Sequence, residues 1–138
     1  MRKPEKKQPS KLFVDLCVDL ALIAGLVCLF VFPANFIADV GDQLTEGARA
    51  AIEDVKAGEY AAAGERLESM QQVMREARET MKLFLNHDDI VALEASINGC
   101  KQLTIVKDHA QILVELESIV AKAEYLHSIE HFSVGTLL

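Results

Sequence analysis

The residues whose types and spacing come closest to a catalytic pattern lie near the C-terminus of this chain. Residues 127–131 read His-Ser-Ile-Glu-His, which matches the H-x-x-E-H zinc motif of certain metallopeptidases. On a helix, His127 and His131 share one face and could chelate one zinc ion. A catalytic zinc site needs a third protein ligand, and only seven residues follow His131. Glu124, one turn upstream, is the remaining candidate ligand.

The same histidines have a simpler explanation as solvated residues at a helix end. A helix rich in Glu and His easily meets a pattern with three fixed positions, and the helix dipole favours histidine near a C-terminus without any metal. Glu124 and His127 also form an E-x-x-H step, but di-iron bundles need two such steps. We therefore predict no catalytic residue, no cofactor and no bound metal, and keep Glu124, His127 and His131 only as metal candidates.

The clearest helix in the sequence lies at roughly 59–85. Its apolar residues recur at alternating steps of three and four and form a heptad seam of Tyr60, Ala63, Leu67, Met70, Met74, Ala77, Met81 and Phe84. Such a seam packs along its length against other helices. Met70, Met74, Met81 and Phe84 are therefore predicted to lie either in the core or in an interface with a partner, and the pattern does not distinguish the two.

Three further helices follow from the same periodicity. One runs over Leu44–Val55 and ends at Gly58, and another carries the stripe Ile90, Leu93, Ile97 and Cys100, interrupted at Asn98-Gly99. The last opens at Lys107-Asp108. Short connections favour antiparallel neighbours, and all three prolines lie at or before residue 33. The predicted fold is all-α, with an N-terminal transmembrane helix followed by an antiparallel helical bundle of about four helices.

The turn before the third helix of the bundle is rich in possible ligands. Asn86 and His87 are followed by Asp88 and Asp89. At a junction between two helices, an acid in this position is more simply explained as an N-cap than as a metal ligand. We predict that Asp88 or Asp89 caps the helix.

The N-terminus of the chain is polarised. Residues 1–11 form a basic leader with five Lys or Arg and one Glu. An apolar segment, 12–38, follows and is long enough to cross a bilayer. Lys and Arg residues that flank a membrane span are retained on the cytoplasmic side. We therefore predict a single-pass protein of the cell membrane with a cytoplasmic N-terminus and an extracytoplasmic helical domain, residues 39–138.

A cleaved signal peptide is the main alternative to this anchor, because it has the same charged leader and apolar core. Cleavage after Ala34 or Ala38 would put Phe32 or Phe36 where a small residue is needed, so the sequence favours an uncleaved anchor. Proline lacks a backbone donor, and the helix is therefore predicted to kink or end at Pro33.

Two acids interrupt the start of the apolar segment. Asp15 and Asp19 are four residues apart and share one helix face, where they could form a proton relay or meet a charged partner helix. Alternatively, Asp15 lies at the cytoplasmic interface beside Lys11, with Asp19 one turn deeper. Beyond the segment, eighteen acids and nine bases give residues 39–138 a net charge of −9, which argues against nucleic acid as a partner.

Features along the second half of the chain resemble a known bacterial family. The stretch 84–90, Phe-Leu-Asn-His-Asp-Asp-Ile, the following Glu94, and a last helix running from Glu115 to a hydrophobic C-terminus look like the bacterial domain of unknown function 4363. Members usually carry tryptophans where this chain has Met74 and Met81, and the last three residues also differ. The resemblance covers essentially the whole chain. It implies a single-pass membrane protein of Gram-positive bacteria and no assigned activity.

Functions from three classes fit these features. The favoured one is an interaction or scaffold module of the bacterial cell envelope, whose bundle or seam binds another envelope protein or a second copy of the chain. An extracytoplasmic sensor could instead bind a cation or small ligand through acids and His87, His127 or His131. The third is an envelope hydrolase with zinc at His127 and His131.

Overall fold

A computed structural model of the chain describes the backbone of residues 10–137 and the side chains of residues 10–128. Over that part of the chain every regular element is a helix, in the order α1 (Ser10–Lys56), α2 (Tyr60–Met81), α3 (His87–Val106) and α4 (His109–Leu137). The all-α prediction is confirmed. The chain divides into two compact units, Met1–Phe32 and Pro33–Leu138, and α1 contributes residues to both. Most of the predicted basic leader lies outside the described residues.

Helix α1 runs through Pro33. The alternative in which the anchor helix ends at this proline is wrong, and the predicted helix Leu44–Val55 is the last part of α1. A proline inside a helix removes one hydrogen bond and costs about 3 kcal/mol. Directly after it, however, Ala34, Ile37 and Ala38 are buried in the second unit, and this packing favours the helical conformation. Burial thus begins inside the segment 12–38 that the sequence assigns to the anchor.

The second unit is an up-and-down helical bundle. Helices that follow one another in the sequence pack antiparallel. As residue numbers rise along the first helix of each pair, the residues that they contact on the second helix fall in number. The contacts that show it are Gly47 with Met70 and Asp54 with Arg66 for α1 and α2; Gln71 with Asn98 and Arg78 with Glu94 for α2 and α3; and Ser96 with Lys122 and Cys100 with Ile112 for α3 and α4.

We call the two ends of this bundle the Pro33 end and the Gly58 end. The Pro33 end carries Pro33, the turn 82–86 between α2 and α3, and the C-terminus of α4. The Gly58 end carries the α1–α2 and α3–α4 connections, where the Tyr60 hydroxyl hydrogen-bonds His109 Nδ1 at 3.1 Å.

The heptad seam of α2 faces the core of the bundle. Met70, Met74 and Met81 are almost completely buried, and Phe84 is half-buried and packs against them. Facing residues from the other helices include Leu44, Val55, Ile97, Leu116 and Ile119, each fully buried. Among the described residues, no buried side-chain nitrogen or oxygen lacks a hydrogen-bond partner. Met70, Met74 and Met81 are therefore core residues, and Phe84 packs against the core from its edge.

Local sequence explains most helix ends. Gly58 adopts φ +79° after α1, as its predicted role at a helix C-terminus requires. The N-cap of α3 is Asn86, whose side chain accepts a hydrogen bond from the backbone N–H of Asp88. The prediction of Asp88 or Asp89 as the cap is wrong, because both lie within the first turn of the helix. In the first turn, the negative charges of Asp88 and Asp89 interact favourably with the positive end of the helix dipole.

The end of α3 differs from the expectation in two ways. Asn98 and Gly99 continue the helix without interruption. Lys107 then ends it in the left-handed conformation, with φ 58°, the only non-glycine residue with a positive φ in the part of the chain that the structure describes. Asp108 caps α4, since its carboxylate accepts a hydrogen bond from the backbone of Gln111 at 3.2 Å.

Candidate functional site

The apolar segment of α1, residues 12–32, is exposed along its whole length. Leu16, Leu20, Ile23, Leu26 and Phe30 each leave more than half of their surface accessible. Among the described residues, α1 is the one helix that is long and apolar enough to cross a membrane, and the apolar part that meets this test has no buried residue. An aqueous protein rarely leaves an apolar surface of this size uncovered. This segment is the first candidate functional surface.

Polar residues are few on that segment. Asp15 and Asp19 are exposed one helical turn apart, as their spacing predicts, and Cys17 and Cys28 are exposed free thiols.

The second candidate surface is a groove between α1 and α2 in the bundle, which we call the α1–α2 groove. It is an open groove with a volume of about 440 Å³. Its lining residues recur at helical spacing, with Gln43, Glu46, Gly47 and Ala50 from α1 and Arg66, Ser69, Met70 and Val73 from α2. Small or apolar residues form the floor, and polar residues form the rim. A groove of this construction can receive the apolar stripe of another helix.

The rim of the α1–α2 groove is held by charge pairing. Arg66 donates a hydrogen bond from its guanidinium to the carboxylate of Asp54, which is mostly buried. Gly47 lets the two helices approach, since a Cβ at this position would lie 3.0 Å from the Met70 side chain. Sequence reasoning missed this groove, because neither stripe is unusual until the fold puts the two side by side.

A smaller groove lies between α2 and α3. It encloses about 240 Å³ and is lined by Gln71, Met74, Arg75, Arg78, Glu94, Ile97 and Asn98. Its polar groups contact one another, because Arg78 lies 3.6 Å from Glu94 and the Gln71 amide hydrogen-bonds Asn98. Arg75 likewise donates to the neighbouring Gln72 at 2.6 Å. The first two contacts tie α2 to α3, and all three occupy groups that could otherwise bind a ligand.

The metal candidates are engaged by residues of α1. Glu124 accepts a hydrogen bond from the Arg49 guanidinium at 2.7 Å, and His127 Nδ1 lies 3.2 Å from a carboxylate oxygen of Asp42. The two residues therefore have different partners. His131 and Glu130 lie outside the residues whose side chains the structure describes. Among those that it describes, no three of the types His, Cys, Asp and Glu group together as metal ligands would.

Cys100 is a packing residue of the core. Its side chain is completely buried, and Sγ lies 3.9 Å from the carbonyl oxygen of Ile112. Burial, with a smaller contribution from the negative charge of Glu115, raises the pKa of the Cys100 thiol to about 12. A nucleophilic cysteine needs the opposite shift, because the thiolate is the reactive form.

These features define a class of protein. Over residues 10–137 it is an up-and-down helical bundle whose first helix also contains an exposed apolar segment. The chain belongs to the family described as Domain of unknown function (DUF4363), whose family model matches residues 31–136. This confirms the resemblance seen in the sequence, over a narrower range than the whole chain. The matched region nearly coincides with the unit Pro33–Leu138 and leaves most of the apolar segment outside it. No curated protein and no solved structure matches the chain.

Proposed function

We propose that the protein is a membrane-tethered interaction module of the bacterial cell envelope. The observation that carries the proposal is a change of environment within α1. Up to Phe32 its apolar side chains are exposed, and from Ala34 onward all the large ones except Phe36 are buried in the bundle. The two parts of the helix therefore suit two different surroundings, a lipid bilayer for the first and a packed protein core for the second.

The exposed part of α1 has the length and composition of a membrane span. Residues 13–32 contain only two charged side chains, Asp15 and Asp19, both in the N-terminal half. Twenty helical residues cover about 30 Å, the thickness of the hydrocarbon core of a bilayer. An acid near the end of such a span reaches the interface at modest cost, whereas one at its centre does not.

The charge on either side of the span supports an orientation. Basic residues precede it, while acids predominate after it. Because short positively charged flanks are retained in the cytoplasm, the bundle would lie outside the cell membrane.

The bundle supplies an interaction surface in the α1–α2 groove. Gly47 and Ala50 leave space on α1, and Met70 contributes an apolar, adaptable floor on α2. Gln43, Glu46 and Ser69 put exposed polar side chains on the rim, which suits an amphipathic partner. We propose that the occupant is a helix of another envelope protein, bound with its apolar stripe in the groove.

Photo-crosslinking in living cells tests this proposal. A photoreactive residue is placed at Gln43 or Ser69 on the two rims of the groove, and at Gln102, an exposed residue of α3, as the matched control. We expect Gln43 and Ser69 to give an adduct with the same envelope protein and Gln102 to give none. Self-adducts alone, the same adduct from Gln102, or no adduct from either rim position would each contradict binding through the groove.

A further inference from the structure

We infer that the helix bound in the α1–α2 groove is basic, with Lys or Arg side chains along the flank that lies against α1. The inference rests on the proposed function and adds the chemistry of the partner. Asp39, Glu46 and Glu53 are exposed residues of α1 that are spaced seven apart. Because seven residues make almost two helical turns, all three lie on one face. Glu46 lines the groove, so this face, which we call the acidic edge, runs along its α1 side.

The negative charge of the acidic edge is largely available to a partner. Among the described residues, the side chains of Asp39 and Glu46 form no hydrogen bond and no ion pair. Glu53 lies 3.1 Å from Lys56, but both side chains are more than half exposed. An exposed pair of this kind contributes little, so Glu53 can exchange Lys56 for a cation of a partner. The acidic edge thus offers three carboxylates at intervals of about 10 Å.

The cations near the groove are already paired or face elsewhere. Among the described residues that line it, Arg66 is the one basic residue, and it is hydrogen-bonded to Asp54. Arg49 of α1 pairs with Glu124 of α4 at 2.7 Å. Arg75 lines the groove on the other side of α2, between α2 and α3. The α1–α2 groove is therefore negatively charged, and it would repel an acidic helix.

The same charges argue against a second copy of this chain as the occupant. Each of the helices α1 to α4 contains more acidic than basic residues, so a helix from a second copy would bring acids against the acidic edge. The basic leader, residues 1–11, would lie across the membrane in the proposed orientation. A helix of another protein, with an apolar stripe and a basic flank, complements both the floor of the groove and its edge.

Charge reversal at Glu46 tests the inference in living cells. The photoreactive residue is placed at Ser69, on the α2 side of the groove, in the otherwise unsubstituted chain and in chains that also carry Glu46→Lys or Glu46→Gln. The matched control is Glu117→Lys. Glu117 is also an exposed helical acid without a side-chain partner among the described residues, but it belongs to α4, which does not line the groove. Both lysine substitutions change the net charge equally, and circular dichroism of the purified variants verifies that they fold.

We expect Glu46→Lys to lower the yield of the Ser69 adduct about fivefold and Glu46→Gln to lower it less, with no change for Glu117→Lys. The partner's cross-linked peptide, sequenced by mass spectrometry, should carry Lys or Arg beside its apolar stripe. An undiminished yield from Glu46→Lys, or an acidic cross-linked peptide, would overturn the inference and leave the groove as a binding site. Equal losses from Glu46→Lys and Glu117→Lys would also overturn it, because only the net charge would then matter. No adduct from Ser69 in the otherwise unsubstituted chain would overturn both proposals.

Discussion

Gly41 of α1 and Ala123 of α4 are in direct backbone contact. A Cβ atom on Gly41 would lie 2.8 Å from the carbonyl oxygen of Ala123 and 3.1 Å from the backbone nitrogen of His127. Neither atom belongs to a flexible side chain, so the two helices would have to separate. Gly41 therefore fixes how closely α1 and α4 pack near the Pro33 end, and the Asp42–His127 pair lies beside this contact.

Gly41→Ala should accordingly destabilise the bundle. Overpacking of this kind typically costs about 1–3 kcal/mol. Gly99→Ala is the matched control, since Gly99 is also helical but a Cβ atom added there would meet nothing within 4 Å. That substitution should add about 0.5–1 kcal/mol through helix propensity. Urea denaturation of both variants in detergent measures the difference, and equal stability would refute the close approach.

Met74 tests whether the seam of α2 supports folding. The side chain is 1% exposed, and Met74→Ala should cost about 2–5 kcal/mol because it leaves a cavity in a filled core. Leu83, in the turn after α2, is 75% exposed. Leu83→Ala therefore removes an apolar side chain of similar size from the surface and should change stability by less than about 0.5 kcal/mol in detergent. A Met74→Ala variant as stable as Leu83→Ala would show that the seam is not part of the core.

Lys107 offers a stabilising substitution. Its positive φ costs a residue with a side chain about 1–2 kcal/mol relative to the usual helical region, whereas glycine adopts it freely. Lys107→Gly should raise the free energy of unfolding by about 1 kcal/mol. In contrast, Gln102→Gly, at an exposed position inside α3, should lower it by about 1 kcal/mol. Thermal denaturation of the pair checks the opposite signs, and a loss of stability in both would contradict the conformation at Lys107.

The Cys100 thiol should make stability depend on pH in the alkaline range. Its pKa is about 12 in the folded protein, against 9.0 for an exposed thiol. Only the unfolded chain loses this proton between these values, so deprotonation there favours unfolding. The contribution of the Cys100 thiol to the free energy of unfolding is therefore fully present below pH 9. Between pH 9 and pH 12 the free energy of unfolding falls by up to about 1.4 kcal/mol per pH unit.

Comparison with Cys100→Ala isolates this effect, because lysines and tyrosines titrate equally in both proteins. The free energy of unfolding of the unsubstituted chain should fall more steeply above pH 9 than that of the variant. Parallel curves would contradict the buried, protonated state of the thiol.

Periodicity predicted the helices well because it reports which face of each helix is apolar. The seam from Ala63 to Met81 is buried along its length, and Gly58 ends α1 as predicted. The same pattern could not decide between core and interface, since both bury apolar side chains. Pro33 misled the assignment of α1, because the local cost of proline is offset by packing that residues further along the helix provide.

The candidate surfaces were harder to predict because they depend on contacts between distant residues. Gln43 and Ser69 line one groove only after α1 and α2 pair in their particular register. The pairing of Glu124 with Arg49 also joins residues that are far apart in sequence. Motif spacing gave no signal for any of these relationships.

The most direct test of the membrane-tethered module is labelling of intact cells at Ile105, an exposed residue near the C-terminal end of α3. The full-length Cys17→Ser, Cys28→Ser protein carrying Ile105→Cys is treated with a membrane-impermeant maleimide, and the label is followed into membranes washed with alkaline carbonate. We expect a labelled protein that stays in the washed membranes if the apolar segment spans the bilayer and the bundle lies outside, as proposed. Labelling only after the cells are broken, or release of the protein by carbonate, would contradict it.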